Sequence, residues 1–188
     1  MAKKVRKFTK KDLWLIQDFI GAINSDITIA ISENKRFECD IPNKIIYLGV
    51  KNTNKDELKL YNRWLEQQPF YTKVNKRIIS ILHEVGHFQT FNKAEFEERN
   101  IKEELLINMY ENDLIDFEKL NFAYWNLTNE LKATKWAIEF YNSNKKYCDN
   151  LIKILKIWRK CRFFFVYRGI SAIIGNSALT IIENYDII

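Results

Sequence analysis

Glycine and proline are scarce in this chain, five and two among 188 residues. That scarcity excludes a collagen-like repeat, a low-complexity segment and a fold dominated by loops. The three cysteines, Cys39, Cys148 and Cys161, are odd in number and widely spread. They exclude a disulfide framework and a CxxC zinc knuckle, and they fit a reducing, cytoplasmic setting. Histidine is rarer still: His83 and His87 are the only two. No apolar run of roughly 7–15 residues follows the basic start Met1–Lys7, so no cleaved leader is expected. The longest apolar stretch, Phe163 to Ile182, carries Arg168, Asn176, two serines and two glycines. It reads as one or two buried helices, and no transmembrane span is expected.

Core-forming residues are plentiful. Hydrophobic residues make up 47% and aromatics 14% of the chain, enough for one packed domain. Thr9-Lys10-Lys11-Asp12 resembles a capping box and opens a helix from about Asp12 to Ile23. Asp26 to Ile31 alternates and is rich in β-branched residues, as strands are. After a turn at Glu33-Asn34-Lys35, further strands are expected over Phe37 to Ile41 and Lys44 to Leu48, making a small antiparallel or mixed sheet. From Asn54 onward the period becomes helical. Helices are predicted from residue 54 to the break at Pro69, then over Val74–Phe91, Glu97–Tyr110, Tyr124–Tyr141 and Tyr147–Tyr167. The fold class is α+β, helix-dominated, with strands segregated near the N-terminus.

Both histidines fall in His83-Glu84-Val85-Gly86-His87, an HExxH. On a helix, positions i and i+4 share a face, so two imidazoles can bind one Zn²⁺ while the intervening Glu reaches a water beside it. Neutral imidazole suits this borderline cation, and Glu84 is the candidate general base. Ile78, Ile79, Ile81, Leu82, Val85 and Phe88 are dense enough to bury the helix around the motif. Thr90 and Lys93 stand where an HExxHxxGxxH motif would place Gly and a third His. With no other histidine, the remaining protein ligand is a carboxylate or a cysteine, and Asn129 to Ala137 is the strongest candidate segment.

In that segment the chain resembles the gluzincins, zincin-like metallopeptidases whose second helix carries a Glu ligand. The closest resemblance is to small ImmA/IrrE-type metallopeptidases of phages and mobile elements. It runs through Lys44–Gly49, His83–His87 and Glu130–Ala137 and covers roughly residues 26 to 141. The resemblance implies a zincin-like α+β domain with an HExxH active-site helix. It also implies one Zn²⁺ per chain on His83, His87 and Glu130, and hydrolysis of a protein or peptide substrate by a zinc-bound water that Glu84 activates. Thr134 stands where that family usually has an Asn or Asp orienting a histidine. Ala133 and Ala137 form a small-residue stripe that lets this helix approach the HExxH helix closely. The Lys44–Leu48 strand is the candidate edge for aligning substrate backbone.

Other residues compete for roles. Glu139, nine positions beyond Glu130, points about 180° away on the same helix. Tyr124 and Tyr141 are candidates for an oxyanion hydrogen bond, though tyrosines serve as core residues as well. Glu103, Glu104 and Glu111 read as solvated, and Cys148 and Cys161 as small core residues. Residues 1–11 carry +6 and residues 145–168 carry +7, which leaves −7 on the remainder. These segments read either as a nucleic-acid or anionic-surface contact or as a solvated tail and an ordinary basic helix face. The expected organisation is a basic tail at 1–11, a metallopeptidase domain at 12–144, and a basic helix with apolar C-terminal helices at 145–188 packed on the same domain. From a different functional class comes the alternative of a non-catalytic zincin-fold binding module with a structural zinc.

Overall fold

The computed structural model describes residues 10–32, 38–49 and 55–160. The expected capping hydroxyl Thr9, the turn at residues 33–35, Asn54, Cys161, the apolar stretch 163–182 and most of the 1–11 tail lie outside these residues. Among the described residues, no helix is long and apolar enough to cross a membrane.

Helix α1, Lys10–Gly21, buries Leu15, Ile16, Phe19 and Ile20, one apolar stripe. Its Gln17 amide clamps the start of the sheet: Nε2 donates to the Ile27 carbonyl and Oε1 accepts from the Ile29 N–H, both at 2.8 Å. Strands β1 (Thr28–Ser32), β2 (Glu38–Asp40) and β3 (Ile45–Gly49) form one sheet in the order β1-β3-β2. β3 is parallel to β1 and antiparallel to β2, so the sheet is mixed. Ile46 and Leu48 of β3 are fully buried and alternate with half-buried Ile45 and Tyr47. The sheet places β3 at its centre, with both flanks hydrogen-bonded. The expectation that Lys44–Leu48 offers a free edge is therefore corrected: the edges are β1 and β2. The β2–β3 turn closes through Lys44 at φ 54°, a left-handed conformation, with Asn43 held by the Asp40 carboxylate.

Helix α2, Lys55–Glu66, buries Trp64 and Leu65. Next comes α3, Lys76–Gln89, with Ile78, Ile79, Ile81, Leu82 and Val85 in the core as expected. The long α4, Lys93–Glu111, has Asn92 as its N-cap and no fully buried residue. Two helices, α5 (Phe117–Trp125) and α6 (Thr128–Ser143), replace the single one expected over Tyr124–Tyr141. The chain breaks at Asn126, whose side chain bonds back to the Phe122 carbonyl, and at Leu127, which is extended. Trp64, Tyr61 and Trp125 pack ring against ring at 5.3–5.7 Å and hold α2 to α5. Finally α7, Lys145–Lys160, stacks Tyr147 on Phe19 at 4.8 Å and buries Cys148, the core role expected of it.

The α3–α6 contact is the centre of the molecule. Glu130, Ala133, Thr134, Ala137, Ile138 and Tyr141 make the buried stripe of α6. His83 meets Thr134 and His87 meets Glu130, so the two helices run antiparallel. Gly86 makes the approach possible. A Cβ there would lie 2.5 Å from the Ala133 carbonyl oxygen and 2.9 Å from its Cα.

Candidate metal centre

Two turns of α3 and one of α6 bring three donor atoms together. His87 Nε2 lies 3.1 Å from His83 Nε2, His83 Nε2 lies 3.2 Å from Glu130 Oε2, and His87 Nε2 lies 3.6 Å from that same oxygen. Tetrahedral zinc bonded at about 2.0–2.1 Å separates its ligands by about 3.3–3.4 Å. The three separations bracket that value, and the donors are two imidazoles and a carboxylate, so the residues fit the group. His87 and Glu130 are buried, and His83 is partly so.

The far nitrogen of His83 is also held. Thr134 Oγ1 lies 3.0 Å from His83 Nδ1, one helical turn along α6 from Glu130. Thr134 also neighbours the half-buried Tyr61 phenol, whose pKa is pushed up chiefly by burial. Threonine thus fixes the ring orientation and leaves Nε2 toward the cluster.

Charge in the cluster is tightly coupled. Burial works against an ionised Glu130, but hydrogen bonds from both imidazoles and their charge outweigh it, holding the carboxyl well below its usual range. For His83, burial opposes the imidazolium; Glu130, with Glu84 behind it, overcomes this and raises the pKa. Glu84 is buried, and that burial lifts its pKa above the ordinary carboxylate value despite the neighbouring imidazoles. A carboxylate of raised pKa is a stronger proton acceptor, the property a general base needs.

Four residues not singled out in the sequence enter the centre. Cys39, in the middle of β2, lies beside Glu84; burial and the Glu84 and Glu130 carboxylates push its thiol pKa up. Cys39, Glu84 and His87 form a second donor group, with ligand atoms all within 4.8 Å of one another. Arg99 of α4 reaches Glu130 Oε1 at 3.8 Å, and Tyr61 backs Thr134. Asn129 lies against Glu130 Oε1 at 3.4 Å and lines a small pocket with Ile41, His87, Thr90, Phe91 and Phe96. Its Oδ1 is buried without a hydrogen-bond partner. Cys39, Arg99 and Tyr61 carry no local signal, because each is brought in by an element distant in sequence; Asn129 lies beside Glu130 in the segment the sequence pointed to.

The two tyrosine candidates separate. The Tyr124 hydroxyl donates to Glu130 Oε1 at 3.2 Å and accepts from Arg99 at 2.8 Å, so it is engaged with the carboxylate. Tyr141, about 16 Å further along α6 from Glu130 at helical rise, donates to Asp149 at 2.9 Å and is not brought to the histidines. Glu139 is exposed and faces Lys135 at 3.8 Å. Glu104 and Glu111 are exposed, whereas Glu103 pairs with Arg99. Comparison with protein-family models, curated proteins and solved structures finds no match to this chain.

Proposed function

We propose that this protein is a zinc-dependent metallopeptidase of the zincin class, similar to the ImmA/IrrE type. The observation that carries the reading is the triangle of His83 Nε2, His87 Nε2 and Glu130 Oε2 at zinc-ligand separations, with buried Glu84 beside it. Bound there, Zn²⁺ supplies a Lewis acid that polarises a peptide carbonyl and acidifies water. The chain's own residues do the rest. Glu84 accepts a proton from the attacking water at its carboxylate and returns it to the departing amine. Thr134 and Tyr124 hold His83 and Glu130 in their ligating orientations. The substrate backbone pairs alongside β2, an outer strand of the described sheet whose Cys39 adjoins Glu84.

One observation favours a second reading, a structural zinc in a binding module. The Cys39 sulfur, Glu84 and His87 form a second donor group, with ligand atoms within 4.8 Å of one another, that shares His87 with the first. Against it stands the cost of ionising a half-buried thiol beside two carboxylates.

Three measurements decide between these readings. Wild-type protein is expected to hold about one Zn²⁺ and to bind a hydroxamate, as open sites do. Glu84→Gln is expected to keep zinc and fold while turnover of a cleaved peptide falls about 10²–10⁴-fold. Hydroxamate binding that appears only in Cys39→Ser would establish the closed, structural site instead.

A further inference from the structure

The histidines account for one oxygen of Glu130. The other, Oε1, accepts from the Tyr124 hydroxyl at 3.2 Å and lies 3.8 Å from Arg99 Nε. Arg99 in turn donates from Nη2 to the Tyr124 oxygen at 2.8 Å, with its guanidinium carbon 5.6 Å from the tyrosine ring centroid. Glu103 grips the guanidinium from the far side at 2.8 Å. Arg99 Nε is buried and has no hydrogen-bond partner. A side chain of α4 and one of α5 therefore converge on a carboxylate of α6.

Placing a guanidinium there runs against its helix. The other basic residues of α4, Lys93 and Lys102, make solvent-exposed i,i+4 pairs, as a surface helix usually does. Arg99 is turned inward instead, and a buried donor on a charged group is costly to leave unpaired. Neither Glu103 nor Tyr124 engages Nε; Glu130 is the nearest carboxylate across from it. Tyr124 is polarised by the arrangement, because a phenol accepting from a cation donates more strongly onward.

We infer that Arg99 is a positioning residue for the metal centre. Acting through Tyr124, it pins Glu130 Oε1 so that Oε2 faces His83 and His87, and it thereby sets how strongly this carboxylate takes a divalent cation. The inference rests on the metal-site reading above. Two effects of Arg99 oppose each other. Its charge repels a dication, while its anchoring removes the rotational freedom that Glu130 would otherwise lose on binding metal. Partners of ligating carboxylates typically strengthen metal binding, so anchoring outweighs repulsion here. A lysine cannot reproduce the planar fork that spans Tyr124 and Glu103.

The test is zinc affinity of the full chain by chelator competition, with the visible spectrum of the Co²⁺ form as a second readout. Arg99→Met and Tyr124→Phe are each expected to weaken zinc about 10–100-fold and to alter the Co²⁺ bands. The double variant is expected to lose little more than either alone, since both break one relay. Arg99→Lys should recover only part of the loss, and Lys102→Met should change nothing. Tyr124→Phe removes a single oxygen and keeps the test usable if Arg99→Met fails to fold. Affinities within about threefold of wild type in both single variants would overturn the inference, as would tighter zinc in Arg99→Met. A wild-type chain that takes neither zinc nor cobalt would instead bring down the metal-site reading, and this inference with it.

Discussion

Glu130 and Glu139 lie on one helix nine residues apart and face opposite ways. Glu130 is 4% exposed and surrounded by imidazoles, a phenol and a guanidinium, while Glu139 is exposed and faces a solvated lysine. Exposed pairs of the latter kind contribute little. Glu130→Ala should therefore weaken zinc by about 100-fold or more, at or beyond the usual loss for a supporting residue, whereas Glu139→Ala should leave affinity unchanged. Isothermal titration of the two variants decides it; comparable losses would mean that Glu130 is not a ligand. At this scale the sequence was most legible. His83, Glu84 and His87 could be picked out because a helix puts i and i+4 on one face, whatever the rest of the chain does. Cys39 and Arg99 could not, since nothing local distinguishes the first from a core thiol or the second from the other charges of α4.

Helix α3 can carry its motif only because α6 comes so close. Gly86 meets the backbone of Ala133, not a side chain that could move aside. Gly86→Ala gains about 1 kcal/mol of intrinsic helix propensity. Overpacking against rigid backbone costs typically about 1–3 kcal/mol, and here the larger end applies because a carbonyl oxygen stands in the way. The net expectation is a lower melting temperature. Zinc affinity should fall as well, since His83 and His87 move with α3 and Glu130 with α6. Thermal unfolding with and without zinc measures both; a variant as stable as wild type with unchanged affinity would show that the helices separate freely. The division of α5 from α6 belongs to the same scale. No glycine or proline marks it, and Asn126 and Leu127 end one helix and begin the next through backbone geometry that helical periodicity does not reveal.

For the molecule as a whole, the buried charges make stability depend on pH in a way that zinc at the proposed site is expected to alter. In chelator-treated protein the His83 pKa is raised, so its stabilising contribution is complete below the unfolded value of 6.5 and is lost as pH rises through the folded value. Glu84, also raised, acts in the same direction above its unfolded value of 4.5. Glu130 is depressed; its contribution is present above 4.5 and vanishes only in stronger acid. The metal-free chain should thus melt higher at about pH 5.5 than at about pH 8 on account of these groups. Zinc must displace the His83 proton, so the stability it adds should shrink by about 1.4 kcal/mol per pH unit below the His83 pKa. Calorimetry of both forms at the two pH values checks this. A zinc increment that does not change with pH would be inconsistent with imidazole ligation.

Local rules reach a definite distance into this protein. Hydrophobic periodicity located α1, α3 and β3 to within a few residues, because each buries a face whose spacing is written in its own segment. The HExxH and the small-residue stripe of Ala133 and Ala137 pointed to the same pair of helices for the same reason. Strand order was beyond such rules: β3 lies between β1 and β2, so the edge beside Glu84 is β2. Alternation says which face of a strand is buried and is silent on which strands flank it. The surroundings of Glu130 were likewise decided only by tertiary structure. Its own helix supplies only Thr134 and Asn129 among the partners described above. Arg99, Tyr124 and Cys39 come from three other elements, and only the packing of the whole chain brings them within hydrogen-bonding or Coulomb range of the centre.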